Sequence, residues 1–517
     1  MAVNWEQLPI LQVILPLLSA PCCLLLRRSR WAWGFACLVG CLSFLIAAKQ
    51  LHVVHNSPTG SISYQLGDWA APYGIEYRLD RLSGLVLVVV TAIAAVVLSV
   101  SRRLLQGEVP EERHHLFFAI FLLCLTGLSG IVSTGDLFNV FVFLEIASLS
   151  SYVLISMGRD RRSLLAAFQY LVMGTIGSTF LLIGIGLAYM MTGTLNMADL
   201  AERLTMTLGS VYGEGASLED PALPVNQTRT ILAAFGFLTV GLALKLALFP
   251  LHAWLPNAYA TAPTVVSTFL AGTSTKVAYY VLLRVIFTIF GLTFAFQQVG
   301  LQYLLTPLAI MAILIASAIA AYQADLRRLL AYSSVAQIGY LVLGLSFATH
   351  AGVTAGIVHL FNHALMKAGL FLVMGCIATR QTGLTLESIR GLGRRMPWTM
   401  AAFVVGGLGL IGVPLTSGFV SKWLLVSAAL EHDRWLVAVL VLVGSLLAIV
   451  YVWRVVEAAY FQSADESDAD AEVHEAPVGL LLATWVLLGA TLVLGVYTDL
   501  TVGVAREAAT TLLGGGS

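Results

Sequence analysis

The chain has 517 residues, of which 58% are hydrophobic and only 11% charged, against roughly 25% charged in an ordinary soluble domain; a soluble globular protein is excluded. Its 28 basic and 28 acidic side chains cancel to a formal net charge of zero, so no large basic surface is available for phosphates and nucleic-acid binding is excluded. Cys22, Cys23, Cys37, Cys41, Cys124 and Cys376 all fall in apolar runs without metal-ligand spacing, which reads as small core thiols, with no disulfide framework and no iron–sulfur cluster.

A bilayer core of about 30 Å takes roughly 20 apolar residues per helix. Fourteen segments of that size follow one another, near 8–26, 31–48, 82–100, 115–133, 136–157, 164–191, 230–249, 273–293, 302–322, 328–349, 351–378, 398–415, 434–460 and 477–498. The start, Met1-Ala2-Val3-Asn4-Trp5-Glu6, has no basic leader and no small-residue cleavage pattern follows, so the first run reads as a retained span. The longest gap, about 192–229, holds Asp199, Glu202, Glu214, Glu219 and Asp220 and reads as a loop with one short helix. Between the last two spans, Asp465-Glu466-Ser467-Asp468-Ala469-Asp470-Ala471-Glu472 reads as a solvated loop, with docking of a partner as the alternative.

Orientation follows from the basic residues of the short loops. With both termini outside, sixteen arginines face the cytoplasm (Arg27, Arg28, Arg30, Arg102, Arg103, Arg113, Arg159, Arg161, Arg162, Arg327, Arg328, Arg380, Arg390, Arg394, Arg395 and Arg454) against seven basic residues outside, Lys49, Arg78, Arg81, Arg203, Arg229, Arg434 and Arg506. The remaining five lie within spans: Lys245, Lys276, Arg284, Lys367 and Lys422. Lys49 is the only other lysine, so surface cations are arginines while lysines sit in the membrane. Arginine keeps its proton in a protein, whereas a desolvated lysine can exist neutral or charged. The membrane lysines are therefore candidate proton carriers; snorkelling to an interface is the alternative. Arg284 reads as a paired structural charge.

Glu145 is the only carboxylate well inside a span, and such a group is expensive enough to imply a partner and a role, as a functional pair or as an ion pair locking two helices. Two spans are interrupted. The seventh continues from Lys245 into Phe249-Pro250-Leu251-His252-Ala253-Trp254-Leu255-Pro256-Asn257, where Pro250 and Pro256 remove backbone donors and are expected to break the helix. The twelfth carries Gly406-Gly407, Gly412-Val413-Pro414 and Gly418 ahead of Lys422. Broken helices survive in a membrane only where protein or water satisfies the freed backbone, so both breaks point to hydrated regions. They lie five spans apart; if spans four to eight and nine to thirteen are related units, an odd number of helices per unit inverts the second. No close residue-level repeat between the halves is evident, and the inference rests on layout. In the eleventh span His359, His363 and Lys367 recur at i, i+4 and i+8, a stripe about 12 Å long on one helix face. A metal would want further ligands than this stripe offers. A protonatable relay and a structural hydrogen-bonding role at a broken helix remain as readings.

The stretches Gly135 to Glu145, Lys245 to Tyr259, Asp325 to Val335, His359 to Lys367, Gly391 to Pro397 and Gly418 to Trp423 together resemble the antiporter-like proton-translocating subunits found in respiratory complex I, membrane-bound hydrogenases and multisubunit Mrp-type Na+/H+ antiporters. The resemblance implies an all-α polytopic membrane protein of fourteen helices with two inverted five-helix repeats, each containing a broken helix, over 114–300 and 301–460, after a three-helix segment 1–113 and before a C-terminal helix and tail 461–517. It implies proton translocation through Glu145, Lys245, Lys276, His359, His363, Lys367 and Lys422 along a hydrated axis. Lys422 sets the chain apart from the type bearing Glu at that position, and the end near 517 from the subunits with long C-terminal extensions. The D-type member of an Mrp antiporter is the nearest pattern.

The expected function is thus the proton-translocating subunit of a Na+ or K+/proton antiporter in the cell membrane of a bacterium or archaeon, working with other membrane subunits and the lipid bilayer. No flavin, haem or cluster motif is present, so neither a redox cofactor nor an enzyme activity of this chain is expected. The alternatives are the pump module of a complex I-like NADH:quinone oxidoreductase or hydrogenase, and a subunit energising uptake of inorganic carbon or another solute.

Overall fold

The computed structural model describes residues 5–158, 160–212, 225–381, 383–463 and 474–514; the acidic run 465–472 lies outside them. In lipid only a helix closes all its backbone hydrogen bonds within one segment, and the apolar runs are helical throughout: α1 Leu8–Leu25, α2 Ser29–Asn56, α3 Arg81–Leu105, α4 His114–Ser133, α5 Leu137–Ser156, α6 Arg161–Thr192, α7 Met197–Tyr212, α8 Val225–Leu246, α9 Trp254–Thr261 and α10 Thr264–Leu283. After them come α11 Leu301–Tyr322, α12 Leu326–Ser346, α13 His350–Ala378, the short α14 Leu392–Arg395, α15 Pro397–Ile411, α16 Ser417–Leu430, α17 Trp435–Phe461, α18 Val478–Val496 and α19 Asp499–Leu512. Among the described residues 13 helices are long and apolar enough to span a membrane, and the two shorter apolar helices α15 and α16 make up the broken twelfth crossing. The fourteen expected spans are thereby accounted for in a multi-pass integral membrane protein.

Boundaries differ where polar ends were read as span ends. α2 runs eight residues past the expected 48, and the eighth crossing begins at Thr264, nine residues early, because Thr264 is held at its start by Glu108. The gap 192–229 contains the expected helix, α7. The eighth crossing ends in π-helical turns, Arg284–Phe290 and Thr293–Gln298, parted by Gly291 at φ +80°.

Burial sorts the helices. The central α12 and α13 are 94% buried over their apolar windows, whereas α2, α17 and α18 are 33% buried and present their remaining apolar surface outward. α13 packs against α10, α12, α15, α16 and α18, so its whole circumference is covered by protein. A titratable stripe on α13 therefore faces other helices and never lipid.

A repeat of period five spans is visible in the backbone. Asp136 caps α5 by accepting from Asn139 N at 2.7 Å, and Asp325 caps α12 by accepting from Arg328 N at 2.8 Å; each satisfies an orphan amide of a helix start. Both caps pair with the loop that follows the next crossing: Leu137 N donates to Leu195 O and Met197 N to Gly135 O, both at 2.8 Å, while Leu326 N donates to Leu384 O at 2.8 Å and Leu386 N to Ala324 O at 2.9 Å. The isolated bridges Asp136 to Asn196 and Asp325 to Thr385 complete the match. An odd number of crossings separates the two, so they lie on opposite membrane faces.

A hairpin of β1 Ser61–Gln65 and β2 Glu76–Asp80 leads into α3. Asp80 caps α3 and receives Arg284 Nη2 at 2.6 Å, which makes Arg284 the paired structural charge that was expected. Burial alone would raise the Asp80 carboxyl, but the Arg284 charge and the hydrogen bonds from Arg284 and Ser83 outweigh it and hold it below the usual carboxylate range.

Candidate functional site: a buried polar line between two helix breaks

The line starts on α5. Glu145 lies 3.5 Å from Lys245 Nζ and also accepts from Ser178 Oγ of α6. The partners differ in exposure: the lysine side chain is 4% exposed and the glutamate 30%. The cation is thus sealed in protein while the anion reaches the outer surface of the chain. Ser148, one helical turn beyond Glu145, accepts from Lys245 Nζ at 2.8 Å, so the ammonium keeps a neutral partner even if the carboxylate turns away.

Lys245 is the next-to-last residue of α8, and the break begins two residues later at Ala247, whose φ is +59°. The freed carbonyl of Leu244 accepts from Trp254 Nε1 at 3.0 Å, and that indole stacks on Tyr170 of α6 at 4.0 Å. Pro250 lies in the break as expected. Pro256 does not break the helix: it is the third residue of the restarted α9, in the first turn, where a missing N–H leaves nothing unpaired. A cavity of about 20 Å³ lies against Lys245 and is bounded by Ser148, Ser151, Tyr170 and Ser274. Roughly 10–15 Å³ holds one water, so one solvent molecule fits between Lys245 and the α10 segment that carries Lys276.

Lys276 is fully buried and donates to the carbonyl of Ala271 in its own helix. No carboxylate pairs with it among the described residues. Its helix, α10, packs against α13 on one side and against α8 and α5 on the other, so Lys276 sits on the element that joins the helices of the Glu145 pair to the helix of the stripe.

The stripe divides. His359 and His363 stack with ring centroids 5.9 Å apart, and His359 Nδ1 lies 2.9 Å from Ser421 Oγ of α16. Lys367 instead donates to Leu330 O at 2.9 Å and to Ser333 Oγ, both on α12. Three titratable groups share a helix face, yet only His359 reaches α16, with His363 stacked on it. Both ring nitrogens of His363 and Nε2 of His359 are buried without a protein partner among the described residues. Such groups cost roughly 1–3 kcal/mol each when left dry, so the geometry suits a hydrated relay. The role of bonding to the broken helix falls mainly to Asn362, whose Nδ2 donates to Ser417 O at 2.6 Å.

Lys422 closes the line. Its Nζ donates to Leu410 O at 2.8 Å, Ile411 O at 3.0 Å and Ser445 Oγ at 3.0 Å, and lies 4.6 Å from the centroid of the Tyr340 ring. It therefore sits on the negative, C-terminal end of α15, where a cation is favoured. Glycine makes this approach possible: Gly412 has φ +87°, and a Cβ there would lie 2.9 Å from Lys422 Cδ. A Cβ on Gly418 would strike Gly409 O, so the two half-helices touch backbone to backbone. Pro414 lies in the turn between them.

The groups that sequence reading missed are the hydroxyls of Ser148, Ser178, Ser333, Ser421 and Ser445, which bond the groups of the line, and the ring of Tyr340, which lies against Lys422. Serine is frequent in these spans and usually bonds its own helix backbone, so nothing in the sequence marks these six. The described residues contain no cluster of three or more histidine, cysteine or carboxylate groups able to hold a metal.

A family described as NADH:quinone oxidoreductase/Mrp antiporter, TM, matches residues 134–448, which include every residue of the line. The chain is 38% identical over 505 residues to the N-type subunit of NADH-quinone oxidoreductase from Desulforudis audaxviator, covering 95% of this chain and 96% of the relative. It is 30% identical to the D-type subunit of the Na(+)/H(+) antiporter from Alkalihalophilus pseudofirmus, covering 82% of each. Among solved structures, a chain of the Mrp complex from a Dietzia species superposes with a TM-score of 0.86 at 26% identity, covering 99% of this chain and 98% of that one.

Proposed function

The chain belongs to the NADH:quinone oxidoreductase/Mrp antiporter transmembrane family as an antiporter-like, proton-translocating membrane subunit, and from that premise we propose that it carries protons within a multisubunit Na+ or K+/proton antiporter of the cell membrane. Its termini lie outside, as the arginine distribution favours, and other membrane subunits complete the assembly, as in the Mrp complex. The observation that carries the reading is the Glu145–Lys245 pair continued to Lys422 by buried basic side chains that pair with no carboxylate among the described residues, the line lying between two helix breaks.

In this reading the pair controls the line. While Glu145 is near, Lys245 holds its proton; when the carboxylate swings away, the ammonium favours release through the small cavity toward Lys276. The charge then passes by His363 and His359 to Lys422, with Lys367 as a side branch toward α12. The half-exposed carboxylate is the member of the pair that a neighbouring subunit can reach.

A second reading, a proton-pumping subunit of a redox-driven complex, is favoured by the higher identity to the NADH-quinone oxidoreductase relative. One assay separates the two: dye-reported proton movement in inverted vesicles from an antiporter-deficient host expressing the whole gene cluster. Collapse of a preset pH gradient on adding Na+ or K+, absent in Lys245→Ala, supports the antiporter. Acidification that needs NADH or hydrogen and ignores Na+ and K+ supports the redox pump and refutes the antiporter.

A further inference from the structure

Away from the polar line, on the face where α1 and α3 end and α2 and α4 begin, a cavity of about 1230 Å³ is lined by Arg27, Arg28, Arg30 and Arg102 together with Trp31, Glu111 and Glu112. None of the four guanidinium groups forms a hydrogen bond or ion pair with another described residue. Four unpaired cations against two carboxylates leave the cavity with a surplus of positive charge. Its base is fixed rather than loose: Ser29 Oγ lies 2.9 Å from Nδ1 of the buried His114, whose Nε2 lies 3.2 Å from Val109 O. Of the lining residues Trp31 is apolar and 66% exposed, and Leu25, two residues ahead of Arg27 in the chain, is 82% exposed. An interfacial tryptophan next to arginines marks the level where headgroups give way to hydrocarbon.

We propose that this groove binds the phosphodiester headgroup of an anionic phospholipid, with the arginines on the phosphate and Leu25 and Trp31 against the glycerol and first acyl carbons. Guanidinium forks match phosphate oxygens. A free phosphate would use only the arginines, whereas a lipid uses the arginines and the apolar side chains together. The site shares no residue with the polar line and does not depend on which ion the complex moves.

The test is native mass spectrometry of the full-length chain in detergent, titrated with phosphatidylglycerol or with phosphatidylcholine of the same acyl chains. The wild type is expected to bind phosphatidylglycerol on the order of 10- to 100-fold more tightly, from a contribution of roughly tenfold or somewhat less per basic residue near the headgroup. The triple variant Arg28→Gln, Arg30→Gln, Arg102→Gln is expected to lose that preference at an unchanged unfolding temperature. Arg161→Gln with Arg162→Gln, on the same face but outside the groove, is expected to keep it. Equal binding of the two lipids by the wild type, or an undiminished preference in the triple variant, overturns the proposal. So does full displacement of phosphatidylglycerol by millimolar inorganic phosphate, which would make the groove a simple anion pocket. If the triple variant fails to fold, Arg28→Gln alone, at an exposed position, carries the same comparison.

Discussion

Replacing Lys245 by arginine keeps the charge and removes the ability to give it up. At the observed 3.5 Å, the Glu145–Lys245 attraction is about 5 kcal/mol for an effective dielectric near 20. Withdrawing the carboxylate therefore changes the ease of proton release by roughly three to four powers of ten, enough for the pair to act as a switch. Arginine holds its proton more tightly than lysine by at least about two to three units in water, which adds roughly 3–4 kcal/mol to every release event. Turnover through this position is then expected to fall by roughly 10²- to 10³-fold, so Lys245→Arg should transport no better than Lys245→Ala. The assay is cation-triggered collapse of a pH gradient in inverted vesicles containing the whole complex, normalised to the amount of assembled subunit. Arginine also needs room, and the neighbouring cavity of about 20 Å³ is too small for a displaced guanidinium. Equal amounts of assembled subunit in Lys245→Arg and Lys245→Ala therefore separate proton retention from crowding. Transport by Lys245→Arg above about half of wild type, where proton retention predicts a loss of at least 10²-fold, would refute the proton-carrier role of this residue.

Other outcomes follow from the same geometry. Glu145→Gln keeps the hydrogen bond from Ser178 but removes the charge, so the complex should assemble while ion exchange is lost; unchanged exchange would reduce the pair to a structural contact. Gly412→Ala places a Cβ 2.9 Å from Lys422 Cδ at φ +87°, a strain of about 1–3 kcal/mol; transport should drop severalfold or more with the subunit still inserted, and wild-type rates would show that the Lys422 seat on α15 is dispensable. Because the folded Asp80 carboxyl is held below its unfolded value, its stabilising contribution is complete above about pH 4–5 and is lost as pH falls through the carboxylate range. Thermal unfolding of the purified chain should therefore show an acid-side loss of stability that is smaller in Asp80→Asn; an identical acid limb in both would refute that assignment.

Much of the line was legible because membrane insertion makes charge conspicuous. Glu145, Lys245, Lys276, His359, His363, Lys367 and Lys422 stand out since nearly everything around them is apolar, and the structure buries the six bases while Glu145, partly exposed, pairs with Lys245. Three features were not legible. Pro256 looked like a helix breaker, but a proline's effect depends on whether it falls in a helix interior or a first turn, and that is set by where α9 restarts. The stripe on α13 looked continuous, yet Lys367 turns to Leu330 and Ser333 because α12 packs on that side, while His359 meets Ser421 of α16. The repeat was invisible as sequence identity because it survives as two short caps, around Asp136 and Asp325, whose common feature is their backbone pairing with Leu195 and Leu384.

The sequence by itself determined the crossings, the buried charges and the two interruptions, because hydrophobicity and backbone satisfaction in lipid act locally along the chain. Tertiary structure alone decided which charge meets which. Lys245 finds Ser148 97 residues away, Arg284 finds Asp80 across 204, and Lys422 finds its seat on the carbonyls of a separate half-helix. Those pairings depend on how helices far apart in sequence pack face to face, and no local pattern records that packing.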